Sequence, residues 1–110
     1  MLSNDQSCRL NALEPEIGSA VVEEFDMSPA RLRSTPFKMA RFTVAPGATT
    51  DVDVHDVQEI WMLAAGQGTV IYEDTAVELG PGDVVHFESR KPHRFRNDGS
   101  TESLIFSVWW

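Results

Sequence analysis

The sequence predicts an all-β fold, a sandwich or barrel of the jelly-roll kind, and three observations carry that prediction. Short β-rich runs recur at 37–45, 52–55, 58–65, 68–73, 76–79, 83–87, 92–97 and 103–109. Turn signals punctuate them: Pro46-Gly47, Gly66-Gln67-Gly68, Gly80-Pro81-Gly82 and Asn97-Asp98-Gly99. No helix-period segment of useful length interrupts the series. Many short strands without helices argue for two packed sheets or a closed barrel.

Taken in order, residues 1–17 are polar, contain Pro15 and show no clear period. They are expected to form an arm packing on the barrel or on a partner subunit. Ala20-Val21-Val22-Glu23-Glu24-Phe25 reads as a short strand, and 26–36, with Ser28-Pro29 and Thr35-Pro36, as a loop or one helical turn. Residues 1–36 are therefore an N-terminal arm plus first strand, and 37–110 the barrel, within one domain overall. A chain of 110 residues can bury a modest single core.

Composition excludes several classes. The net charge of −8, from 9 basic against 17 acidic residues, gives no global footprint for nucleic acid or an anionic membrane. Cys8 is the one cysteine, so no intramolecular disulfide can form and a reducing compartment is expected. The start, Met1 to Ser7, lacks the basic and apolar parts of a secretory signal, and no apolar run approaches the ~20 residues that span a bilayer. A cytoplasmic location follows as the expectation. There is no Gly-x-Ser-x-Gly elbow, phosphate loop or dinucleotide fingerprint.

The chemistry concentrates in residues 47–66. Asp53 and His55 alternate, so on a strand they share one face, and Glu59 follows with the same parity on the next strand. His93 arrives after a further strand-rich stretch, inside Lys91-Pro92-His93-Arg94-Phe95-Arg96-Asn97. Imidazoles and carboxylates converging from several strands form the ligand set of a zinc, iron, manganese or nickel site.

These residues resemble the cupin superfamily. Gly47, His55, Glu59 and Gly66 fit the first cupin motif, G-x5-H-x-H-x3-E-x6-G, without a gap, and Gly82, His93 and Asn97 fit the second, G-x5-P-x-G-x2-H-x3-N. Asp53 replaces the first motif histidine, while Glu88 and Arg90 replace the Pro and Gly of the second. The latter exchange suggests a different turn before His93. Met39 to Gly47 resembles the strand leading into the first motif in germin-like cupins, and the likeness covers roughly 37–109. It implies a double-stranded β-helix, with one divalent ion (Zn, Mn, Fe or Ni) held by Asp53, His55, Glu59 and His93. Asp53 could instead be a surface residue of a degraded site.

Strand parity assigns the surroundings. Trp61 and Leu63 share the direction of Glu59; Phe95 and Asn97 share that of His93; Arg94 and Arg96 point away; Val70 and Tyr72 are the inward pair of their strand. The expected pocket has walls of Trp61, Leu63, Val70, Tyr72 and Phe95. Arg41 is either solvated or a clamp for a substrate carboxylate. His86 is expected on the outer face. Arg90, Lys91, Arg94 and Arg96 form either a solvated strand or a basic rim attracting an anion, and Trp109-Trp110 should be covered by the arm or across a homodimer interface.

Two imidazoles and two carboxylates would cancel the charge of a divalent ion and leave room for a bidentate oxygen donor: a sugar, keto acid, enol or polyketide-like phenol. The expected function is metal-assisted isomerisation, epimerisation, cyclisation or decarboxylation, with Glu59, Asp53 or Tyr72 as acid/base groups. The phosphomannose-isomerase type of cupin likewise puts an oxygen-bearing side chain (Gln) at the first His, and resembles this chain at Glu59-Ile60-Trp61 and at 93–99. A second reading is an Fe(II) dioxygenase with His55, Glu59 and His93 as facial triad. A third is a non-catalytic small-molecule-binding cupin.

Overall fold

The structure, a computed structural model, describes residues 9–12, 20–27 and 35–110. Its strands are β1 (Arg9–Ala12), β2 (Ala20–Asp26), β3 (Lys38–Val44), β4 (Glu59–Ala65), β5 (Gly68–Tyr72), β6 (Thr75–Leu79), β7 (Val84–Phe87), β8 (His93–Arg96) and β9 (Ser103–Trp109). They form a six-stranded sheet, ordered β1-β2-β3-β9-β4-β7, and a three-stranded sheet, β6-β5-β8. Every pairing is antiparallel. Among the described residues no helix is long and apolar enough to cross a membrane.

Alternation of side chains sets the inner face of the large sheet. Ala40, Phe42 and Val44 of β3, Glu59, Trp61 and Leu63 of β4, and Ser103, Ile105 and Ser107 of β9 are buried, while the residues between them face outward. The small sheet presents Val70 and Phe95 to the same core. Phe87 joins the layers. Its ring meets Trp61 edge-on at 4.7 Å and Tyr72 at 5.2 Å, and stacks on His93 at 3.9 Å. Truncating so buried a ring would cost about 3–5 kcal/mol.

Seven of the eight expected runs appear, 37–45 as β3 and the six from residue 58 onward as β4 to β9, and the short strand expected at 20–25 is β2. The exception is 52–55, which makes only an isolated bridge, Asp53 to His93. Val52 and Val54 are exposed, so neither face of that segment is buried and no ladder is reinforced. The segment nevertheless runs along β8: Thr50 N–H donates to the Phe95 carbonyl at 2.8 Å, and Asp53 N–H to the His93 carbonyl at 2.9 Å.

Of the expected arm, β1 and β2 are strands of the large sheet, β2 pairing with β3 from Ala20↔Val44 to Glu24↔Ala40. The rest of 1–19 and most of 26–36 lie outside the described residues.

Two motif positions are scaffold. Gly66 has φ +85°, and a Cβ there would lie 2.7 Å from the Glu102 carbonyl oxygen. Asn97 is fully buried. Its amide donates to the carbonyls of Val44 at 2.9 Å and Thr101 at 2.8 Å, and its Oδ1 accepts from Gly99 N–H at 2.8 Å. The turn before His93 keeps the left-handed residue that the motif's Gly would supply, because Arg90 itself adopts φ 66°. Its N–H reaches the His55 carbonyl at 2.6 Å, tying that turn to the first motif.

Candidate functional site

A cavity of about 490 Å³ opens on the inner face of the large sheet. Its floor and walls come from Ala20, Val22 and Glu24 of β2, Ala40 and Phe42 of β3, Glu59 and Trp61 of β4, and Ser107 and Trp109 of β9. The loop between β3 and β4 closes one side with Thr50, Asp51, Asp53, His55, Asp56 and Val57.

Glu59, in the cavity lining, is joined to the buried His93, which is not itself part of that lining. Glu59 Oε1 and His93 Nε2 are 2.9 Å apart, and Glu59 Oε2 accepts from the Trp61 indole N–H at 2.9 Å and from the Ser107 hydroxyl. His93 Nδ1 donates to the Lys91 carbonyl at 2.9 Å. Burial alone would push the Glu59 carboxyl up, but the bonds from His93, Ser107 and Trp61, with the charge of His93, outweigh it and hold it below the usual carboxylate range. Burial alone would push the His93 imidazole down; the Glu59 bond, the Lys91 carbonyl and the charges of Glu59 and Asp53 carry it above its usual range.

The remaining sequence candidates divide sharply. Asp53 and His55 lie half-exposed at the mouth, Asp53 Oδ1 4.0 Å from His55 Nε2. The rings of His55 and His93 are 6.1 Å apart. Among the described residues no group of three or more His, Cys, Asp or Glu is gathered to hold an ion, so the expected four-residue set is not assembled.

The chemistry of the inner pair still fits a divalent cation. His93 Nδ1 is committed to a carbonyl, which directs Nε2 towards the site as a ligand nitrogen would be. Neighbouring donors on one ion, with bonds of about 2.1 Å, sit about 3.0–3.4 Å apart, and Nε2 and Oε1 at 2.9 Å need only a small separation to reach that range.

The expected pocket walls differ from the observed ones. Of Trp61, Leu63, Val70, Tyr72 and Phe95, only Trp61 lines the cavity. Leu63, Val70 and Phe95 are completely buried between the sheets, where inward parity leads to the core as readily as to a pocket. The Tyr72 hydroxyl accepts from Glu88 N–H at 3.1 Å, outside the cavity. Arg41 faces away, its Nε 3.2 Å from Glu23 Oε1, because its β3 neighbours Ala40 and Phe42 take the inner face. The basic group near β8 is not a cavity wall: Arg90 pairs with Asp56 at 3.0 Å, Lys91 with Glu73 at 3.3 Å and Arg96 with Asp98 at 2.6 Å. His86 lies on the outer face, bonded to Gln58 at 2.7 Å and stacked on Trp110.

Ser107 and Trp109 escaped sequence reasoning, as did Val22, Glu24 and Phe42. The signal for the first two was present: in Ser103-Leu104-Ile105-Phe106-Ser107-Val108-Trp109 they share the face of Ile105. The register Glu59↔Trp109 and Trp61↔Ser107 then puts them beside the inner pair.

Comparison with known proteins agrees with this architecture. Residues 40–109 match the family model described as Cupin domain. Among solved structures, AerE from Microcystis aeruginosa superposes with a TM-score of 0.78 at 16% identity, covering 93% of this chain and 46% of that one. The chain thus spans about half the length of AerE. A predicted oxalate decarboxylase from Thermotoga maritima gives 0.73 at 20% identity, covering 99% and 97%. The polyketide cyclase RemF from Streptomyces resistomycificus gives 0.72 at 16% identity, covering 99% and 78%. At these identities the likeness is one of fold.

Proposed function

The chain belongs to the cupin family, and on that footing we propose that it is a metal-dependent enzyme of small-molecule metabolism acting on an oxygen-rich substrate. One observation carries the reading. With Nδ1 donating to a carbonyl, a neutral His93 would turn a lone pair on the Glu59 carboxylate at 2.9 Å inside the protein. Two buried acceptors do not face each other unless a positive charge satisfies both. A proton supplies it when His93 is an imidazolium, and a divalent cation satisfies the same donors when His93 is neutral.

His93 and Glu59 would hold the ion from the sheet, and one of His55 and Asp53 from the mouth, leaving the other for proton transfer. When bound, the ion supplies Lewis acidity to a substrate carbonyl or hydroxyl oxygen. Both Glu59 oxygens already accept hydrogen bonds and its carboxyl titrates low, which suits it to binding a cation rather than to carrying protons. Proton transfer therefore falls to Asp53 or His55, half-exposed beside the cavity. Phe42, Trp61 and Trp109 would cover the apolar part of a substrate and exclude water from it. Isomerisation, cyclisation or decarboxylation fits this division of labour. Two of these are also activities named among the structurally similar proteins.

Elemental analysis of protein purified without chelator or His-tag tests the reading, alongside melting curves with added Mn, Fe, Ni and Zn. Wild type should carry near-stoichiometric ion, or gain about 2.7 kcal/mol of stability at a hundred times Kd. His93→Ala should lose or weaken it while keeping the β-sheet circular dichroism, as should alanine at whichever of His55 and Asp53 holds the ion. An empty wild type that no divalent ion stabilises would refute it.

A further inference from the structure

The wall of the cavity has a one-sided charge. Glu24, Asp51, Asp53, Asp56 and Glu59 all line it, and among the described residues no Lys or Arg does. Glu59 is committed to His93, Trp61 and Ser107, and Asp56 to Arg90 at the rim. Glu24 and Asp51 line the wall from opposite elements, β2 and the loop preceding β4. Arg41 is held by Glu23, Lys91 by Glu73 and Arg96 by Asp98, while Lys38 of β3, across from Trp109, and Arg94 do not line the cavity. The whole chain carries −8, which deepens the same field. A concave site lined by one sign of charge concentrates ligands of the other sign and repels its own.

Beside these carboxylates the lining is aromatic and apolar, with Phe42, Trp61, Trp109 and Val22. Indole and phenyl faces attract an organic cation as well as hydrocarbon. We propose that the cavity takes a small molecule with an apolar body and a protonated amine, the body against Phe42, Trp61 and Trp109 and the ammonium at the carboxylates of the rim, and that it turns away dicarboxylates. This deepens the reading of the site as a metal-dependent enzyme. An ion neutralised by Asp53 and Glu59 would leave Glu24 and Asp51 to set the charge preference, and a substrate's oxygen atoms would sit on the ion and its amine at the rim.

Three probes of matched size separate charge from shape: 2-phenylethylamine, 2-phenylethanol and 3-phenylpropionate. Two of the three tryptophans line the cavity, so their indole N–H resonances report binding at the site itself. Titrations belong first in chelator-treated protein and then in protein loaded with Zn. In the metal-free protein the amine should bind most tightly and the carboxylate least, with the amine weakening as salt is added. Glu24→Gln should weaken the amine roughly two- to fivefold and leave the alcohol unchanged. A carboxylate that binds as well as the amine, an amine indifferent to Glu24→Gln, or no saturable shift with the amine would each overturn the proposal. Because the ranking is read without metal, a protein that takes up no ion yet keeps this order loses the proposed function and retains this inference; uptake of an ion without this order does the reverse.

Discussion

His93 and Glu59 meet through Nε2 and Oε1 at 2.9 Å, and the other imidazole nitrogen is anchored on the Lys91 carbonyl, so the ring has no freedom to turn away. Phe87 stacks flat on it at 3.9 Å and Trp61 meets it edge-on at 5.0 Å. The pair joins β4 to β8, one strand from each sheet, and Glu59 is its member in the cavity lining.

The first prediction concerns pH and the metal-free protein. Glu59's folded carboxyl titrates below its unfolded value, so its contribution is present above about pH 4.3 and is lost as pH falls through the lower folded value. His93's folded imidazole titrates above its unfolded value, so its contribution is full below about pH 6.5 and is lost as pH rises through the folded value. Urea midpoints should therefore peak between these limits. Glu59→Gln should flatten both flanks, and NMR titration should show His93 moving back down; a His93 titration unchanged by the substitution would contradict the pairing.

The second concerns ion uptake. A metal and a proton compete for His93 Nε2, so binding near pH 6 should release about one proton, and fewer as pH rises past the folded imidazole value. Calorimetric titration with Zn in buffers of different ionisation enthalpy counts them. Zero release near pH 6 would mean that the ion binds elsewhere.

The third concerns Asn97. Alanine there would leave the Val44 and Thr101 carbonyls and the Gly99 N–H without their partner in a fully buried position. The loss should be about 2–4 kcal/mol by chemical denaturation. Any uptake of metal should survive under conditions where the variant is folded, since Asn97 does not line the cavity.

The fourth concerns Arg90, whose φ of 66° is a conformation that glycine adopts freely. Arg90→Gly relieves that strain and gives up only an exposed pair with Asp56. A gain of about 0.5–1 kcal/mol is expected. A loss of stability would show that the ion pair outweighs the backbone.

The sequence placed the motif residues well where periodicity and burial act together. In β4, Glu59, Trp61 and Leu63 are buried and Met62 and Ala64 exposed; in β8, His93 and Phe95 are buried and Arg94 and Arg96 exposed. Parity worked because each strand has one wet and one dry face. It failed for 52–55, where neither face is dry, and there the chain curls past β8 with Asp53 and His55 half in solvent. For Leu63, Val70 and Phe95 parity gave the inward direction but not the depth, and these residues fill the core instead of the cavity wall.

By itself, then, the sequence determined the strands from β2 onward, with 52–55 as one too many, the two motifs and the inward side of most strands, because hydrogen-bonded strands repeat every two residues and turns require Gly, Pro or Asn locally. Tertiary structure decided the rest. Antiparallel register brought Ser107 and Trp109 of β9 beside Glu59 and Trp61 of β4, more than forty residues away in sequence. Sheet order put Val22 and Glu24 on the same cavity and turned Arg41 out to Glu23. Which inward side chains close a core and which line a cavity depends on how far apart the two sheets stand at each point, and no local pattern along the chain encodes that distance.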